Sequence, residues 1–138
     1  MTRVLFSALL AACMAATAAA HEGHEHGSAA PATGAMAAAR GEASSDAFEL
    51  VAVARAGNLL IYLDRFADNA PVDGATIEVE TPDGAASAQP DGAGRYRLAA
   101  PWSAKPGRYD LVFTVTAGGD ADVLPVTLDV PGAAATAE

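Results

Sequence analysis

The sequence predicts an all-β protein: a single antiparallel seven-stranded β-sandwich that follows a signal peptide and a disordered linker. Three observations carry this. Between Phe48 and Val130 apolar residues recur with a period of two. Turn signals built from Gly, Pro, Asp and Asn interrupt that pattern roughly every 8–12 residues. No stretch of this region has a helical period, so neighbouring segments have only each other's apolar faces to bury.

The elements follow in order. Phe48 to Arg55 (FELVAVAR) reads as a strand, and Ala56-Gly57-Asn58 turns it into the next. In Leu59 to Leu63 the residues Leu59, Ile61 and Leu63 point one way, Leu60 and Tyr62 the other. Both faces therefore read as covered, and the strand is predicted to be central. Asn69 to Ala75 (NAPVDGA) supplies two turn signals, because proline fixes φ and glycine accepts a positive φ. Ile77 and Val79 then alternate with Glu78 and Glu80, the mark of a strand with one buried and one wet face.

Pro82-Asp83-Gly84 is a turn, Ala85 to Gln89 a weak strand, and Pro90 to Gly94 a further turn. Arg95 to Leu98 places Tyr96 and Leu98 inward and both arginines outward. After Lys105-Pro106-Gly107, Arg108 to Ala117 (RYDLVFTVTA) alternates cleanly, and Gly118-Gly119-Asp120 turns the chain into Ala121 to Val130. Pro125 lacks an amide donor, so that last strand belongs at an edge or carries a bulge. The predicted core comprises Leu59, Ile61, Ile77, Val79, Tyr96, Leu111, Phe113, Val115, Val126 and Leu128. Trp102 caps one end of it, and the hydroxyls of Tyr96 and Tyr109 are tied to loops.

Ahead of this body, residues 1–20 read as a signal peptide: Arg3, an apolar run from Val4 to Ala16, and Ala18-Ala19-Ala20 as the cleavage site. The run is too short for a membrane span. Leu10-Ala11-Ala12-Cys13 resembles a bacterial lipobox, which would make Cys13 a lipid anchor, the one route by which this chain would meet a membrane. Either way the protein is expected in the periplasm. With a single cysteine the body holds no disulfide, so a packed core must stabilise it.

Residues 21–47 read as a histidine-containing disordered tether, 48–131 as the sandwich, and 132–138 as a fraying tail. From Ser28 to Asp46 the chain is mostly Ala, Gly, Ser, Pro and Thr, with too little apolar bulk to offset the entropy of ordering. The net charge is −9, with 17 Asp and Glu against 8 Lys and Arg, and no basic stripe that would bind nucleic acid.

Chemistry concentrates in the first six residues after the predicted cleavage site. His21, His24 and His26, with Glu22 and Glu25, form the candidate metal site. Neutral imidazole is the usual protein ligand for Zn, Cu and Ni ions, and three within six residues can chelate one ion if the backbone folds around it. Cleavage after Ala20 would add the α-amino nitrogen of His21. The expected cargo is a Zn, Cu, Ni or Co ion, and no organic cofactor is expected. Asp64, Asp68, Asn69 and Asp73 carry the oxygen donors of a calcium site, but their spacing matches no calcium loop and turn chemistry accounts for them. The body offers neither histidine nor cysteine, hence no conventional nucleophile–base pair, and no enzymatic activity is expected.

Three motifs carry a resemblance. Asn69-x-Pro71-Val72-x-Gly74-Ala75-x-Ile77-x-Val79, Asp91-Gly92-x-Gly94-x-Tyr96 and Pro106-Gly107-x-Tyr109-x-Leu111 resemble the immunoglobulin-like sandwich modules of the transthyretin-like and carboxypeptidase-regulatory type. Phe48 to Val130 as a whole is similar to an accessory β-domain of periplasmic adaptor subunits of heavy-metal RND efflux systems. There the domain precedes the barrel-sandwich and coiled-coil parts and often follows a histidine-rich stretch. The resemblance implies a non-catalytic accessory of metal efflux whose partners are RND pump or adaptor components. With no hairpin or lipoyl-like part before Glu138, this chain is not expected to bridge pump and channel by itself. The transthyretin-related hydrolases use histidines in the body, so their activity does not carry over. The alternative expectation is a general binding or structural sandwich, periplasmic or lipid-anchored, with no specific metal role.

Overall fold

The computed structural model describes residues 38–132. The signal segment, the histidine cluster and the last six residues lie outside them. In chain order the strands are β1 Arg40–Ser44, β2 Phe48–Arg55, β3 Asn58–Arg65, β4 Thr76–Thr81, β5 Gly84–Ser87, β6 Gln89–Pro90, β7 Arg95–Ala99, β8 Gly107–Ala117 and β9 Asp120–Val130. One turn of 3-10 helix, Pro101–Ala104, separates β7 from β8. Two antiparallel sheets form, β1-β2-β3-β7-β6 and β5-β4-β8-β9. The all-β sandwich read from the alternation is thus what the chain builds, and β3 is its central strand in the first sheet.

Inward-facing positions of both sheets make the core. All ten predicted core residues are buried, joined by Phe48, Leu50, Leu63 and Leu124. Burying each such side chain stabilises the fold by about 1.5–3 kcal/mol. Tyr96 is buried with its hydroxyl donating to the Val72 carbonyl at 2.6 Å and accepting from the Ala75 amide at 3.0 Å. The Pro71–Ala75 turn is thereby pinned to β7. Trp102 closes the end of the core against Tyr109, ring centroids 4.8 Å apart, and the Tyr109 hydroxyl reaches the Lys105 carbonyl at 2.9 Å.

The turns follow their residues. Ala56 and Gly57 between β2 and β3, and Gly118 and Gly119 between β8 and β9, all have positive φ. Two such residues in a two-residue loop match the right-handed twist of the flanking strands. Pro125 lies opposite Val112 in an unbroken β8–β9 register, so β9 carries no bulge. It meets its missing donor by being the edge strand.

Three expectations need correction. The sandwich has nine strands among the described residues where seven were expected. The weak Ala85–Gln89 segment changes sheets at Ala88, whose amide bonds the Ile77 carbonyl at 2.9 Å, and Gln89–Pro90 then pairs with β7. The 21–47 tether ends early, because β1 lies inside it and pairs along its length with β2. Its sequence, RGEAS, offers no bulky apolar side chain; its small residues are what fit. A Cβ on Gly41 would collide with the Thr127 carbonyl and Val126 Cγ1, so only glycine lets β1 lie this close to β9.

The third correction concerns β3. Its two faces are not equally covered: Leu59, Ile61 and Leu63 are buried, Leu60 is half-buried and Tyr62 is 40% exposed. Among the described residues no second layer lies over the outer face of the first sheet. That apolar outer row stays at the surface.

Candidate functional site

None of His21, Glu22, His24, Glu25 and His26 falls within the described residues. Among the described residues no group of three His, Cys, Asp or Glu side chains could hold a metal ion. The four residues weighed for calcium have separate duties. Asp68 Oδ1 accepts the Ala70 amide at 3.1 Å, and Asp73 Oδ1 accepts the Gly94 amide at 2.7 Å. Asn69 takes a left-handed conformation, φ 56°, and Asp64 forms a backbone bridge with Pro71. Asp68 and Asn69 thus perform local turn chemistry, while Asp73 ties its loop to the Gly92–Gly94 turn and Asp64 acts through its backbone.

A cleft of about 550 Å³ opens at one end of the sandwich, lined by Asp46, Arg65, Asp120 and Asp122 among others. Three of its charged side chains, Arg65, Asp120 and Asp122, are held by hydrogen bonds. Arg65 donates to Asp120 at 2.7 Å while its guanidinium lies 4.9 Å above the Phe48 ring. Ser45 Oγ donates to Asp122 at 2.6 Å and accepts the Phe48 amide at 3.0 Å. These contacts tie the β1–β2 connection to β9 across the two sheets. Among the described residues no buried side-chain polar atom is left without a partner. Such a cleft fastens the fold and offers no reactive group.

The outer face of the first sheet is different in kind. Strand register sets Val53 beside Leu60 and Val51 beside Tyr62, so four apolar side chains form one central patch. Arg40 on β1 lies beside Val53, and on β7 Arg97 lies beside Leu60 and Arg95 beside Tyr62. Arg55 closes the end nearest the β2–β3 turn. The opposite end is acidic, where Glu49 pairs with Asp64 across β2 and β3. Arg40 leans toward Glu42 at 3.6 Å, and Arg97 toward Asp91 at 3.5 Å. Both pairs are exposed, so they hold their arginines loosely. The outward face of the second sheet carries Glu78, Glu80, Asp110 and Asp129, and its one arginine, Arg108, lies 3.7 Å from Asp110.

Comparison with protein-family models, with curated proteins and with solved structures finds no match. The reading of the surface therefore rests on its own geometry.

Sequence reasoning missed this patch because it is assembled from four strands. Of its residues, alternation marks only Arg95 and Arg97 as outward; Arg40 falls in the expected tether, and Leu60 and Tyr62 on a face expected to be covered. Only the order β1-β2-β3-β7 sets them around Val51, Val53, Leu60 and Tyr62.

Proposed function

We propose that the protein is a non-catalytic periplasmic accessory of heavy-metal efflux, in which the N-terminal stretch captures a divalent ion and the sandwich docks a partner. One observation supports this most directly: chemistry and scaffold are divided along the chain. All three histidines lie at positions 21, 24 and 26, and the body from residue 38 onward contains none. That body is a fully packed sandwich with its buried polar groups satisfied. It also bears an apolar patch framed by arginines on an otherwise acidic protein. A patch of this kind suits protein contact, since exposed apolar clusters rimmed by polar residues mark interaction sites.

In this reading His21, His24 and His26 donate nitrogens, Glu22 and Glu25 add oxygens, and the ion is cargo. Fixing six residues around an ion costs conformational entropy, which keeps affinity modest and release feasible. The choice of an RND system rests on the resemblance read from the Phe48–Val130 sequence motifs alone, since none of the three comparisons finds a match.

The test is calorimetry of the secreted chain with Zn²⁺, Cu²⁺, Ni²⁺ and Co²⁺ in turn. One ion bound per chain, weakening as the pH falls through the ordinary imidazole range near 6.5, is the expected result. Failure to bind any of the four would remove the metal half of the proposal.

A further inference from the structure

We infer that the outer face of the first sheet is a docking surface for an acidic amphipathic segment of a partner protein. This deepens the docking half of the reading above and does not depend on the metal. The first ground is charge. Arg40, Arg55, Arg95 and Arg97 stand on this one face, four of the seven basic residues from position 38 to 132, against Glu42 beside Val51 and Glu49 and Asp64 at the far end, in a chain of net charge −9. Arg55 and Arg95 have no carboxylate partner among the described residues. Arg95 instead points its guanidinium to the carbonyls of Gly92 and Asp91, at 3.3 and 3.2 Å. The Nε–Nη2 edge of Arg95 is thus engaged with neutral carbonyls and its Nη1 remains for an incoming carboxylate, while Arg55 offers its whole guanidinium for a paired contact.

The second ground is the chemistry between them. Tyr62 is 40% exposed at the centre of the sheet, beside half-buried Val51, Val53 and Leu60. Tyrosine and arginine around an apolar centre is the composition found at the energetic centre of protein interfaces. It is also a costly arrangement to leave unpartnered.

Dimensions choose the occupant. From β1 to β7 is three strand spacings, roughly 14 Å, and successive outward rows are about 7 Å apart. A single segment with two apolar side chains about 7 Å apart, as at i and i+2 of an extended chain, would cover Val53–Leu60 and Val51–Tyr62 together. Its carboxylates would then lie over Arg55, Arg95 and Arg97. Glu49 and Asp64 at the far end would repel the reverse orientation. A second copy of the protein fits less well. The whole face spans roughly 20 by 20 Å, about half of the ~800 Å² that each member of a stable dimer buries.

The experiment uses the ¹⁵N-labelled secreted chain and three synthetic peptides. One is an acidic twelve-residue peptide with two leucines at i and i+2. The others replace its glutamates by lysine or its leucines by serine. The acidic leucine peptide should shift the amides of Val51, Val53, Leu60 and Tyr62, and the other two should not. Affinity should fall at least about tenfold in the Arg95→Glu/Arg97→Glu variant and in Tyr62→Ser. It should be unchanged in Val123→Ser, an exposed position on the second sheet. Four results would overturn the inference: no shifts at about 1 mM peptide, equal binding of the lysine peptide, shifts confined to the second sheet or the end cleft, or peptide-free shifts that grow with protein concentration and so assign the face to a second copy. A Zn²⁺ titration on the same sample separates this from the metal reading. Peptide binding without Zn²⁺ binding sustains the docking face alone, and Zn²⁺ binding without peptide binding defeats it.

Discussion

Tyr96 shows how much a single hydroxyl does in this fold. It satisfies the Val72 carbonyl and the Ala75 amide at once, both in a buried turn. Tyr96→Phe removes the partner of both groups, and stability measured by urea unfolding should drop by about 1–3 kcal/mol. Phe113, fully buried on β8, should cost about 3–5 kcal/mol on truncation to alanine. Gly41 makes the opposite demonstration, since adding one methyl group drives it into β9. Gly41→Ala should destabilise by about 1–3 kcal/mol through overpacking. The first two positions were legible from alternation, which reports which residues are apolar and inward. Gly41 was not, because a close approach between strands far apart in sequence leaves no local mark.

At the scale of the element, legibility followed side-chain bulk. Strands such as β8 and β9 announce themselves through Leu, Phe and Val at every second position. The five residues of β1 do not, because the strand is held by backbone pairing to β2 and by its fit beside β9. A chain beginning at residue 38 should therefore unfold at the same urea concentration as one beginning at residue 21. One beginning at residue 45 should lose several kcal/mol, as the inner side of β9 and the pairing edge of β2 are uncovered. Equal midpoints for the two truncations would mean β1 contributes nothing. The central place of β3 was predicted correctly for an incomplete reason. A continuous apolar run implied two covered faces, whereas the second face is the surface patch of Leu60 and Tyr62. Periodicity cannot tell a buried apolar face from an exposed one.

For the whole molecule, the claim that matters is that ion capture and folding are separate properties of one chain. The candidate ligands all precede residue 38, while the core, the end cleft and the arginine-framed face all follow it. Residues 38–132 contain no histidine, so imidazole titration within the described sandwich has no group to act on. The most direct measurement compares the chain from residue 21 onward with a variant lacking residues 21–26, reading Zn²⁺ binding by calorimetry and the urea midpoint in the absence of metal. Stoichiometric binding should vanish from the variant while its midpoint stays the same, since no packed contact has been removed. Retention of tight Zn²⁺ binding by the shortened chain would contradict the account and move the site into the sandwich.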